Sequence, residues 1–204
     1  FVKLLRCPFV LVTHTVLPQP SKYQKQILNY LCHRAAGIVC MTRHSANLLV
    51  DLYEAPEEIT SVIAHGVPDF KVEAPEDLKK RFGFENRDIV STFGLIGPGK
   101  GLELGIRAMQ QVCRSHPSVL YLILGQTHPM LKKREGEKYR HMLEDLVDEL
   151  GLSRNVQFVN RYLSDQELGE YLYLTDIYLS PYPNRDQAVS GTLAFAMGCG
   201  RAIV

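Results

Sequence analysis

The stretch Asp88-Ile89-Val90-Ser91-Thr92-Phe93-Gly94-Leu95-Ile96-Gly97-Pro98-Gly99-Lys100-Gly101-Leu102 decides how this chain folds. Its first six residues form a short run with little alternation, as a strand buried on both faces reads. Four closely spaced glycines with a proline then make a turn, and Leu102, Ile106, Met109 and Val112 recur at helical spacing as one apolar stripe. The unit is therefore strand, glycine turn, helix.

The same grammar extends in both directions. Short apolar runs stand at Pro8 to Val12, Ile38 to Met41, Ser61 to Ala64, Val119 to Leu124, Val156 to Val159 and Ile177 to Ser180. Helical stripes lie between them, for example Met142, Leu143, Leu146, Val147 and Leu150. Alternation of this kind calls for right-handed crossovers and doubly wound parallel sheets of the Rossmann-like α/β class. One segment, Gly66 to Pro75, breaks the rhythm with proline and charge, and a domain boundary is expected there. The expected division is a partial first domain over 1–70 and a second, nearly complete domain over 71–204. The chain opens on Phe1 and closes on Ala202-Ile203-Val204, which reads as a strand beginning, so material is expected to be missing at both ends.

Composition narrows the function. The 204 residues are 46% hydrophobic and 22% charged with a formal net charge of +1, which suits a globular chain and supplies no basic field for nucleic acid. Charged residues interrupt every apolar run before the roughly 18 residues a membrane span needs. Five scattered cysteines, Cys7, Cys32, Cys40, Cys113 and Cys199, point to packing thiols in a reducing, cytoplasmic setting.

Two loops have the chemistry of an anion site. Around Gly97, Gly99 and Lys100, glycine backbone lets N–H groups approach an anion and the lysine adds full charge. The same residues serve equally as a plain turn with a solvated lysine. Gly94, four residues, Gly99 and Lys100 also have Walker A spacing, but Gly101 stands where a serine or threonine should hold magnesium. The second loop ends in Ser190-Gly191-Thr192, where Ser190 is placed to cap a helix with free N–H groups at Gly191 and Thr192. In a doubly wound sheet both loops follow strands at their carboxyl ends, where ligands bind.

Several pieces, in order and spacing, resemble the retaining glycosyltransferases of family 4, also called group 1: Ile63 to Asp69, Phe93 to Gly101, Val156 to Asn160, Asp176 to Pro181, and Leu193 to Gly200 with Arg201 to Val204. The resemblance implies the two-domain GT-B fold, no cofactor, and a nucleotide diphosphate sugar as donor. It further implies that Lys100 meets the donor diphosphate without a metal and that Asn160, Arg161 and Tyr162 border the base. Gln187 to Thr192 border sugar and phosphates, and His14, in Val12-Thr13-His14-Thr15, faces the donor sugar. The catalytic set so implied is His14, Lys100 and Gln187. Three residues depart from the pattern: Leu95 stands for an arginine, Gln187 for a glutamate, and Phe195 for the glutamate that holds the ribose hydroxyls. Arg161 or Arg185 are the substitutes at hand for the missing arginine.

Other residues read as structural. His65 is a link residue beside Gly66, Cys32, His33, Cys40 and His44 match no zinc spacing, and Lys132-Lys133-Arg134 is a solvated helix face that could at most touch a membrane surface. The expected activity is glycosyl transfer to a carbohydrate or lipid acceptor. The alternatives are a non-catalytic sugar-nucleotide-binding domain, a sugar-nucleotide epimerase or a P-loop nucleotide hydrolase.

Overall fold

The computed structural model describes residues 2–184 and 189–204, with the side chain of Lys3 excepted. These fall into two compact units, 2–66 with 189–191, and 67–184 with 192–204. Among the described residues no helix is long and apolar enough to cross a membrane.

The first unit runs β1 (Val10–Thr13), α1 (Lys22–Arg34), β2 (Gly37–Cys40), α2 (Arg43–Tyr53) and β3 (Thr60–Val62), with the strands parallel in the order β1-β2-β3. Both helices start where a short polar side chain can take up a free N–H. Ser21 forms a reciprocal capping box with Gln24, and the Thr42 hydroxyl accepts from Ser45 N. Ile38 and Cys40 face α1 and α2 and bury with Cys32, Leu49 and Tyr53. Burial on both faces, expected from the apolar runs, does not hold here: Val10 and Val12 are 61% and 50% exposed. Three strands laid in sequence with crossovers of one hand carry both helices on the same face, and Val10 and Val12 point to the other.

The second unit runs α3 (Pro75–Phe82), β4 (Ile89–Phe93), α4 (Leu102–Ser115), β5 (Leu120–Leu124), α5 (Pro129–Glu135), α6 (Lys138–Glu149), β6 (Val156–Val159), α7 (Asp165–Leu174), β7 (Ile177–Tyr178), α8 (Gly191–Gly198) and β8 (Ala202–Ile203). All five strands are parallel in the order β6-β5-β4-β7-β8. Side-chain alternation along β5 shows why this sheet is double-faced. Tyr121 and Ile123 enter a core with Ile106, Met109, Leu143 and Val147 of α4 and α6. Leu120, Leu122 and Leu124 enter another with Leu78 of α3 and Tyr171 and Leu174 of α7.

The amino ends of these strands are fastened by side chains. Arg87 donates to the carbonyls of Ser118, Val119 and Arg154, and Asn155 Nδ2 to those of Pro117 and Val119. Asp176 accepts from Ile89 N at 2.7 Å and from Lys79 Nζ at 2.6 Å. At the other end the chain leaves β4 toward β5 on one side, while β7 returns on the other, so the crevice between the β4 and β7 loops is the switch point where doubly wound sheets bind ligands.

Candidate functional site

The loop after β4 is shaped by where glycine alone fits. Gly94 has φ +130°, and a Cβ there would lie 3.0 Å from Lys100 Nζ. Beyond it the β4 and β5 loops stay zipped, with Gly94 N donating to Leu124 O and Ile96 N to Gln126 O. Pro98–Lys100 then form a 3-10 turn, closed by Lys100 N donating to Gly97 O at 3.0 Å. Gly101, at φ +62°, precedes α4 in the left-handed region, and a Cβ there would collide with the Pro181 carbonyl. Neither the serine nor the threonine of a magnesium-binding P-loop fits this position without displacing that carbonyl.

Lys100 is half-buried and forms no carboxylate ion pair among the described residues. Its Nζ donates to Tyr182 Oη at 2.7 Å and lies 4.5 Å from the ring centroid. Tyr182 Oη in turn shares a 2.8 Å hydrogen bond with Thr192 Oγ1. Burial pushes the Tyr182 phenol up, but the hydrogen bonds from Lys100 and Thr192 outweigh it and leave the group below the ordinary tyrosine range. Beneath the loops, Thr92 Oγ1 donates to Leu179 O at 2.6 Å and pairs with the buried Tyr121 hydroxyl at 2.9 Å. Among the described residues, then, a cation without a carboxylate partner stands at the switch point on a hydrogen-bonded platform of hydroxyl groups.

Beside it lies a cavity of about 230 Å³ at the carboxyl ends of β4, β5 and β6. Gly94, Leu95, Gly125, Gln126, Arg161, Tyr162, Asp165 and Phe195 are among its lining residues. The backbone can approach closely here because Gly125, at φ +129°, has no side chain to strike Gly94 O. Tyr162 stands 72% exposed at the lining, an aromatic face open to a stacking partner. The site therefore pairs a charge suited to phosphate with a largely apolar recess suited to a flat ring.

The profile of the family described as Glycosyl transferases group 1 matches residues 74–204. The chain belongs to the group 1 glycosyltransferases. Among relatives, it is 24% identical over 186 residues to the phosphatidylinositol N-acetylglucosaminyltransferase GPI3 subunit of Saccharomyces cerevisiae (strain YJM789), covering 90% of this chain and 38% of that protein. It is 27% identical over 171 residues to the 2-deoxystreptamine glucosyltransferase of Streptomyces kanamyceticus, covering 81% of this chain and 41% of that one. The chain thus spans about two fifths of the curated relatives it matches. Its fold is that of Anabaena Alr3699/HepE, solved in complex with UDP and glucose, at TM-score 0.78 and 20% identity over 97% of this chain and 52% of that one. A structure of WaaG, described as a glycosyltransferase involved in lipopolysaccharide biosynthesis, matches at TM-score 0.68 and 15% identity, over 95% and 55% of the two chains.

Against the group 1 pattern the residues fall out unevenly. Gly97, Gly99, Lys100 and Thr192 are gathered at the switch point, with Gly191 opening α8 and Ser190 just before it. Arg161 and Tyr162 line the cavity, but Arg161 is tied to Glu167 at 2.7 Å, and Glu167 also closes the capping box of α7. Gln187 and Arg185 lie outside the described residues. Phe195 packs against Phe93 and Phe70, at centroid distances of 6.0 and 6.3 Å, so its side chain is fixed within an aromatic cluster. In the first unit, His14 is exposed just after β1 and meets His65 edge-on at 6.3 Å. His65, read from the sequence as a link residue, bonds through Nδ1 to Gly66 O at 2.6 Å.

Elsewhere Lys132 pairs with Glu137 and Arg134 with Glu135, and Cys32 and Cys40 pack in the first core. Tyr182 was not singled out by the sequence. Its only signal was a tyrosine between two prolines in a loop after a buried strand.

Proposed function

We propose that the protein transfers a glycosyl group from a nucleotide diphosphate sugar to a carbohydrate or lipid acceptor. The observation that carries this reading is the Lys100 ammonium, without a carboxylate partner among the described residues, in the β4–β7 crevice beside a recess of nucleobase dimensions. As the bond between the sugar C1 and the diphosphate oxygen breaks, the electron pair stays on the diphosphate. Lys100 meets that growing charge, and an acceptor oxygen takes C1 and yields its proton to the departing diphosphate. Fixed positive charge aimed at the leaving group stabilises the transition state more than the bound donor.

Retention of configuration and independence from metal complete the reading, on the strength of the family resemblance and of Lys100 as a resident cation. Tyr162 stacks the base, and His14 and Gln187 act on the sugar. The buried thiols Cys32, Cys40 and Cys199 fit a reducing, cytoplasmic setting.

The test is to incubate the full-length protein with UDP-, GDP- and ADP-sugars, with and without EDTA, and to measure release of nucleoside diphosphate. Release that survives EDTA and disappears in Lys100→Ala supports the reading. Release that needs added magnesium sinks its metal-free part. Phe195 favours a second reading, a binding module without turnover, because it offers the cavity no hydrogen-bond acceptor. Binding of a donor with no release from any of them selects that reading.

A further inference from the structure

We infer that Tyr182 is the positioning residue of the diphosphate site, holding the Lys100 ammonium in place by a hydrogen bond that leaves its charge intact. The inference rests on the reading of Lys100 as the diphosphate-binding group.

A lysine side chain has four freely rotating methylenes, and binding an anion through it loses that freedom unless the freedom is already lost. Here it is lost in advance. Nζ is seated against the bare Cα of Gly94 on one side and on Tyr182 Oη, 2.7 Å away, on the other. A carboxylate in the place of Tyr182 would fix the ammonium equally well but cancel its charge. A phenol oxygen accepts one of the three N–H groups without bringing a carboxylate's charge, so among the described residues two donors and the positive charge are left for phosphate oxygens.

The placement of Tyr182 is itself built. Thr192 Oγ1 bonds its hydroxyl at 2.8 Å, and the prolines on either side press on Gly101, the residue after Lys100. The β4 and β7 loops therefore approach closely through backbone at Gly101 and Pro181 and are bonded through side chains at Lys100 and Tyr182. A tyrosine merely filling space needs neither the hydroxyl contact nor the clasp.

The experiment is a double-mutant cycle in the full-length protein. UDP, GDP and ADP are titrated calorimetrically into the wild type, and the tightest binder is carried through Tyr182→Phe, Lys100→Ala and the double variant, with thermal melting as the folding control. Tyr182→Phe keeps the ring and removes only the hydroxyl. It should weaken binding about five- to tenfold when Lys100 is present, the worth of one ordinary hydrogen bond, and should change nothing when Lys100 is alanine. An equal loss in both backgrounds overturns the inference, since a structural role does not depend on Lys100. No loss in the Lys100 background overturns it as well. If Lys100→Ala weakens binding and Tyr182→Phe does not, only the positioning role falls. If Lys100→Ala binds like the wild type, or no nucleotide binds, the diphosphate reading itself falls and takes this inference with it.

Discussion

Lys100 and Tyr182 stand 82 residues apart in sequence and meet through a 2.7 Å hydrogen bond across the crevice between β4 and β7. The contact unites two loops that share no local sequence pattern, and it fixes the one cation the proposed chemistry needs.

Lys100→Ala should weaken nucleoside diphosphate binding by about 1.5–3 kcal/mol, the range for hydrogen bonds to charged groups, with the melting temperature little changed. Lys100→Arg should restore part of the loss, because a planar guanidinium does not fit a seat shaped for a point charge. Titration calorimetry at moderate salt measures both. A dissociation constant unmoved by Lys100→Ala relocates the anion site.

Gly101→Ser, which completes the Walker A pattern on paper, should damage the protein instead of adding a magnesium site. The left-handed backbone alone costs a side chain about 1–3 kcal/mol, and the new Cβ would also strike the Pro181 carbonyl. Chemical denaturation should show the loss, and magnesium should not reverse it. A variant as stable as the wild type contradicts this account of the loop.

Phe195→Glu supplies the glutamate that the family resemblance leads one to expect at this position, but sets a carboxylate among Phe93 and Phe70. Lost packing and poor solvation should together destabilise the second unit by about 2–4 kcal/mol. Urea unfolding checks it. An unchanged midpoint would mean that the side chain can turn into the cavity and be hydrated there.

Glu137 gathers Lys132, Thr127 and Arg140, whose side chain is almost wholly buried. Hydrogen bonds from Lys132 and then Thr127 draw its carboxyl down to about 2 from an ordinary 4.5. A depressed folded-state value stabilises the fold at pH above about 4.5, and that stability drains away as pH falls toward about 2. Glu137→Gln should cost about 3 kcal/mol at neutral pH, the scale for stranding a buried charge. Its melting deficit should shrink between those two pH values. A deficit that stays constant down to the acid limit assigns the effect to shape and not to charge.

The legible part of this molecule was its rhythm. Runs such as Val119 to Leu124 are buried whichever way a side chain points, so periodicity alone located β5 and its neighbours. Glycine and Lys100 marked the β4 loop because a turn under steric constraint leaves few residue choices. What stayed hidden depends on distance in sequence. Nothing near Tyr182 announces that Lys100 will arrive beside it. The open face of β1 was also unreadable, because Val10 and Val12 look the same whether covered or bare.

The fastening of Arg87, Asn155 and Asp176 at the amino ends of the strands gives the second unit a direction. Like a brush gripped at its base, the sheet is held at the end that faces away from the β4–β7 crevice, and its tips are tied only loop to loop. Amide exchange should be slowest at residues such as Ile89 and Tyr121 and should quicken toward Leu95 and Tyr182. Any opening that release of the proposed nucleotide requires can then be confined to the tips, and the sheet itself need not move.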